Sequence, residues 1–126
     1  MTVSVVIPSF QNAGTLARTL ESVLSQTYTD LEVIVADHSS TDGSLEVARS
    51  FEHDPRVRVL STPAGGGAER NWNRVTDEAT GSLIKLVCAD DVLYPTLIER
   101  QVSTLAEHPS PAPARSTPGP TDPAAG

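Results

Sequence analysis

Asp90 and Asp91 stand side by side at the end of an apolar run, residues 83–89, and are followed by Val92-Leu93-Tyr94-Pro95. Such a run between punctuation residues reads as a buried strand. Two adjacent carboxylates at its carboxyl end repel each other, and a cation or a hydroxyl-rich ligand satisfies them best. A divalent ion, Mg²⁺ or Mn²⁺, together with a nucleotide diphosphate matches that requirement, because these ions take one or two carboxylates supplemented by phosphate oxygens and water. The competing reading is structural: Asp90 or Asp91 caps the helix that follows Pro95. Asp37 closes a second apolar run and opens a Ser/Thr/Asp-rich turn, residues 38–44, where it is either a ligand-facing acceptor or a turn cap. Arg70 lies in the first turns of a helix behind Gly65-Gly66-Gly67. A cation is mildly disfavoured there, so it either answers a bound anion or solvates an exposed face with Arg74.

The elements that must position these groups follow from periodicity. A β-branched run over 3–7, stopped by Pro8, is a strand buried on both faces. Leu16, Leu20, Val23 and Leu24 form the stripe of a helix. Residues 31–36 are a second strand, and Leu45, Ala48 and Phe51 mark a short helix with Asp42 or Ser44 as its N-cap. Residues 57–60 are a partly polar third strand of edge character. Ala68, Trp72, Val75 and Ala79 recur at helical spacing with Gly81 as the stop. The fourth strand is the run before Asp90, with Cys88 as one of its buried residues. Pro95 then sits in the first turn of a last helix carrying Leu97, Ile98, Val102 and Leu105. Strictly alternating strands and helices imply a parallel sheet with right-handed crossovers and helices on both faces, a three-layer α/β/α, Rossmann-like half-fold. In such a sheet all strand carboxyl ends share one edge. Asp37, Asp90, Asp91 and the loop at Phe10 can therefore meet one ligand, offering an acceptor and an aromatic face to a base, an acceptor to a ribose and a cation site to a diphosphate.

Composition narrows the function further. The 126 residues carry 9 Lys+Arg against 16 Asp+Glu, a net charge of -7, with no basic block. Nucleic acid and anionic membrane surfaces are therefore disfavoured as partners. One cysteine offers no disulfide framework, and neither a signal peptide nor a membrane-spanning run is present, so the expected location is cytoplasmic, with any membrane association peripheral to the inner face. The glycine loop lacks both the Walker Lys-Ser/Thr and the G-x-G-x-x-G spacing. Residues 1–108 read as one domain. Six of the ten prolines fall in 109–126, a stretch without large apolar side chains that reads as a disordered tail.

Val5-Val6-Ile7-Pro8-Ser9-Phe10-Gln11-Asn12, the segment from Leu24-Ser25-Gln26-Thr27-Tyr28 to Asp37, then Ser40-Thr41-Asp42-Gly43-Ser44, Arg70-Asn71 and Ala89-Asp90-Asp91 together resemble the family 2 inverting glycosyltransferases of the GT-A fold. The resemblance covers 3–105 in order and spacing. It implies a donor-binding half that takes a nucleotide diphospho-sugar of uridine or thymidine type with a divalent metal. Carried over by position, Pro8 and Phe10 line the base pocket and Asp37 binds the base edge. Arg70 sits beside base or diphosphate, Asp90 holds the ribose, and Asp91 holds the metal. His38 replaces an acid the family often has next to Asp37, and Cys88 stands where the metal motif usually begins with Asp. No residue matches the family's general base, so a non-catalytic nucleotide-binding module or truncated remnant is the rival reading. A truncated domain would also leave sheet surface open to a partner or to self-association. A flavodoxin-like signalling domain, the third class, would disperse the acidic set.

Overall fold

The computed structural model describes residues 1–107, so the tail reading for 109–126 lies outside the described residues. The elements run β1 (Val3–Ser9), α1 (Leu16–Leu24), β2 (Leu31–Asp37), α2 (Ser44–Arg49), β3 (Val57–Ser61), α3 (Gly67–Asp77), β4 (Leu83–Leu86) and α4 (Leu97–Glu107). All strand pairs are parallel, in the order β3-β2-β1-β4. The α/β class and the parallel sheet expected from the alternating elements are both present.

The two faces of the sheet are covered unequally. Odd-numbered residues of β1 and β2 (Val3, Val5, Ile7, Leu31, Val33, Val35) pack with Leu16, Leu20 and Val23 of α1, Ala48 of α2 and Ile98 of α4. The opposite face holds a smaller cluster, Val6, Ile34 and Ala36 against Val75 of α3, with Leu60, Ala79 and Ile84 at its margin. Strand side chains alternate between faces, so β-branched residues at every position are needed only in β1 and β2, the two strands with neighbours on both sides. No helix among the described residues is long and apolar enough to cross a membrane.

Several sequence expectations are corrected. β1 runs through Pro8 to Ser9. The Ser9 carbonyl accepts from His38 N, so Ser9 faces β2 and Pro8 faces β4, whose ladder has already stopped at Leu86. The missing N–H costs no ladder bond there. β4 is a half-buried edge strand instead of a buried one, because among the described residues β1 is its only neighbour. Cys88 lies beyond it and is exposed. On α3 the buried residues are Asn71 and Val75, while Trp72 is 45% exposed. Gly81 does not stop α3, which ends at Asp77. It passes so close to β1 that a Cβ would stand 2.6 Å from both Ser4 Oγ and the Thr2 carbonyl. Pro95 precedes α4 by two residues instead of sitting in its first turn. Gly43, in a left-handed conformation, occupies the N-cap of α2, with Asp42 Oδ1 accepting from Ser44 N at 3.0 Å.

Candidate donor site at the carboxyl edge

Register places Ser9, Asp37 and Ser61 level with one another at the carboxyl ends of β1, β2 and β3. Asp37 is 1% exposed. Its Oδ2 accepts from Ser40 N at 2.9 Å, which folds the turn back over the strand end. Among the described residues its Oδ1 has no partner, and neither has the buried Ser9 Oγ. Buried polar atoms are almost always hydrogen-bonded, and an exception on a carboxylate marks a place where something else supplies the donor.

Around this point the loop after β1 is stapled to the turn after β2. Ser40 Oγ accepts from Gln11 N, Ser44 Oγ from Asn12 N, Asp42 Oδ2 from Ala13 N, and Gln11 Oε1 accepts from Thr41 N. The Ser44 hydroxyl, with bonds from Ala13 and Ser44 backbone N–H groups, holds the Asp42 carboxyl below its ordinary value against a smaller opposing effect of desolvation. Gln11 and Ser39 both take φ of +56°, a left-handed conformation unusual outside glycine. Gln11 adjoins Phe10 and Ser39 adjoins His38; Phe10 stands 60% exposed, edge-on to His38 with ring centroids 6.3 Å apart. His38 Nε2 donates to the Gly65 carbonyl at 2.9 Å, tying the glycine loop to the same wall. Pro8 is half-buried beside Ala36. Asn71 underpins the floor: its Nδ2 donates to the Ala36 carbonyl at 2.8 Å and its Oδ1 accepts from Thr62 Oγ1 at 2.6 Å.

The second group of candidates lies past β4. Cys88, Asp90 and Asp91 are all exposed, with one ligand atom of each within 4.8 Å of the others. Two carboxylates at this spacing fit a hard divalent ion and leave coordination positions for phosphate and water. The thiol fits it less well, since desolvation, then Asp91 and Asp90, push Cys88 above its ordinary value and keep it protonated. Arg70 is exposed in the second turn of α3 and donates to the Ala64 carbonyl at 3.4 Å. The structure therefore brings Phe10 and Asp37 together with His38 and pairs Asp90 with Asp91, while the contacts of Arg70 are with the glycine loop and its own helix. Ser9, His38, Thr62 and Asn71 were missed by sequence reasoning. Ser9, His38 and Asn71 were named within or beside the motifs but given no role; Thr62 had no signal beyond polarity at a strand end.

A sheet-edge acceptor, an exposed ring and a carboxylate pair beyond a neighbouring strand lie in an α/β domain whose parallel strands end toward one edge, the edge at which such folds bind ligands. Residues 4–119 match the model of glycosyl transferase family 2, and the chain belongs to that family. It is 42% identical over 106 residues to the uncharacterized glycosyltransferase YibD of Escherichia coli K12, covering 82% of this chain and 30% of that protein. The UDP-Glc:alpha-D-GlcNAc-diphosphoundecaprenol beta-1,3-glucosyltransferase WfgD of Escherichia coli is 29% identical, covering 84% of this chain and 42% of WfgD. Among solved structures, S. aureus TarS 1–349 in complex with UDP-GlcNAc matches with a TM-score of 0.80 at 23% identity, over 86% of this chain and 32% of that one. The mannosyltransferase PcManGT of Pyrobaculum calidifontis, in complex with GDP-Man and Mn²⁺, matches with a TM-score of 0.74 at 27% identity, over 82% of this chain and 32% of that one. The chain thus spans about a third of the length of the first relatives it matches.

Proposed function

We propose that this domain binds the nucleotide diphospho-sugar donor of a glycosyltransferase that moves the sugar to an acceptor hydroxyl. The observation that carries the reading is the buried Oδ1 of Asp37, unpartnered among the described residues, next in sequence to the His38 ring on which the exposed Phe10 stands edge-on. A pyrimidine presents a ring N–H to such an acceptor and a flat face to the aromatic ring beside it, so a uridine- or thymidine-type base is the proposed occupant. Pro8 lines the same pocket. Asp90 accepts from the ribose, Arg70 stands beside base or diphosphate, and Asp91 holds Mg²⁺ or Mn²⁺. When bound, the ion supplies neutralisation of the leaving diphosphate. The chain's own residues orient the donor: Asp37 fixes the base, the stapled 10–13 and 38–44 loops hold the ring and the acceptor in register, and Asn71 keeps the strand end from shifting.

Transfer also requires a base within hydrogen-bond reach of the acceptor hydroxyl. No described residue is assigned that role, and transfer is proposed for a protein of the relatives' whole length. The unpaired edge of β4, with Leu86, Val92 and Tyr94 exposed, is the proposed surface for a partner or a second copy. Calorimetric titration of the chain with uridine, thymidine, guanosine and adenosine diphosphates, with and without Mn²⁺, tests the reading. Preference for a pyrimidine that disappears in Asp37→Ala supports it, and equal weak binding of all four would overturn it.

A further inference from the structure

α1 carries two stripes. Leu16, Leu20 and Val23 enter the core, while Thr15 (the N-cap), Thr19, Ser22 and, just past the helix end, Gln26 form a polar line at i, i+4, i+7 and i+11. Polar residues at this spacing normally face water. Here Thr19 is fully buried and Gln26 is 3% exposed, because the line faces the segment that links β4 to α4. Thr15 Oγ1 and Thr19 Oγ1 each donate to the Ala89 carbonyl at 3.0 Å. Ser22 Oγ accepts from Leu93 N at 3.1 Å. Gln26 Nε2 donates to the Tyr94 carbonyl at 2.8 Å, and its Oε1 accepts from Ile98 N at 3.0 Å. The Thr27 N–H adds a bond to the Pro95 carbonyl at 2.9 Å.

The segment from Val87 to Thr96 has no helix or strand of its own, and it carries Asp90 and Asp91. Within it the bond from Asp91 N to the Cys88 carbonyl is local, and Val87 N ties its start to the Val6 carbonyl of β1 at 3.0 Å; from Ala89 onward the bonds across the fold run to α1, Gln26 and Thr27. We propose that the Thr15-Thr19-Ser22-Gln26 line is the positioning device of the acidic pair, with Thr15 and Thr19 clamping the Ala89 carbonyl immediately before Asp90. This rests on the reading of Asp91 as the metal-holding residue. Two hydroxyls on one carbonyl fix both the height and the rotation of the peptide plane from which Asp90 departs. The pair then meets a cation already oriented. Groups that hold ligands in this way, without touching the ion, matter for affinity nearly as much as the ligands do.

Three variants of the purified chain test this: Thr15→Val/Thr19→Val, which keeps shape and removes both hydroxyls; Thr15→Ser/Thr19→Ser, which restores them; and Asp91→Ala. Mn²⁺ binding is read by electron paramagnetic resonance, metal-free nucleotide binding by calorimetry, and opening of residues 89–94 by amide hydrogen exchange. The valine pair is expected to weaken Mn²⁺ binding by about tenfold, the low end for groups that orient ligands from behind. It should also speed exchange at 89–94 and weaken metal-free nucleotide binding less than Mn²⁺ binding, through the ribose contact of Asp90 alone, with the serine pair recovering all three. Unchanged Mn²⁺ affinity in the valine pair, in a chain whose Asp91→Ala variant has lost it, would overturn the positioning role while keeping the metal reading. Equal losses of metal-free and Mn²⁺-dependent binding would overturn it too, as general damage to the fold. Should Asp91→Ala bind Mn²⁺ as the native chain does, the metal reading itself fails and the positioning role falls with it.

Discussion

Asp37→Asn should move stability and binding in opposite directions. In the native side chain Oδ2 accepts from Ser40 N while Oδ1 is buried and unpartnered. The amide can keep the Ser40 bond only by placing its oxygen there, which leaves its NH₂ in the Oδ1 position. An under-satisfied buried acceptor costs about 1–3 kcal/mol. A neutral amide is cheaper to bury than a carboxylate, so the ligand-free variant is expected to be at least as stable as the native chain, by up to about 1 kcal/mol. The ligand-bound comparison runs the other way. The NH₂ now faces the ring N–H that the carboxylate would accept, and a charge-assisted bond worth roughly 1.5–3 kcal/mol is replaced by two opposed donors. That corresponds to a ten- to hundredfold loss in uridine diphosphate affinity. Scanning calorimetry without ligand and isothermal titration with it, on the same preparations, give both numbers. Native affinity in the variant, or a fall in stability parallel to the fall in affinity, would refute the assignment of Oδ1 to the base.

Four further outcomes are expected. Gly81→Ala should destabilise by about 1–3 kcal/mol, because the new Cβ meets backbone and side-chain atoms of β1; Gly14→Ala, with open space around it, should leave the urea midpoint unchanged. Asn71→Ala should cost about 2–4 kcal/mol by stranding the Ala36 carbonyl and the Thr62 hydroxyl, read as the same midpoint. Acid should erode stability as the pH falls through the lowered carboxyl values of Asp54, held down by its bonds with Arg56, and Glu32. Partial burial raises Glu32, but bonds from Ser4, Thr80 N and Thr80 Oγ1 together outweigh it. Because these folded values lie below the unfolded ones, the contribution is complete above about pH 5 and lost below it. Glu32→Gln should flatten the pH 5 to 3 limb of a urea titration series, and an unaltered limb would remove Glu32 from that account. Leu86→Lys should shift any concentration-dependent elution toward monomer in size-exclusion chromatography, the direction required if the β4 edge mediates self-association.

Much of the architecture was legible because β1 and β2 are buried on both faces, and continuous β-branched runs report that directly. The apolar run of β4 looked the same although only one side of it is paired, since composition does not encode how many neighbours a strand has. On α3 the periodicity favoured Trp72. The helix turns Asn71 inward because the β2 end needs a donor for the Ala36 carbonyl, a demand that exists only once the strand and helix are docked. Of the site, Asp37, Asp90 and Asp91 were visible through their places after apolar runs. The polar line of α1 was invisible because it answers a backbone segment distant in sequence, and the burial of the unpartnered Ser9 hydroxyl because it follows only from the packing of the strand end.

The strand order also sets an order of assembly. β1 registers with β2 from Val3 to Leu31 and β2 with β3 from Val33 to Val57, but β4 joins β1 from Val3 to Leu83. Closing that last loop, about three times as long, costs roughly 1 kcal/mol more in chain entropy, and it gains only four ladder positions. On a ribosome releasing the chain from its amino terminus, β1, β2 and β3 can therefore pair, and the pocket around Asp37 can close, before Asp90 and Asp91 have emerged. The acidic pair is added after them, onto a helix already in place, and α4 packs Ile98 into the core only after that.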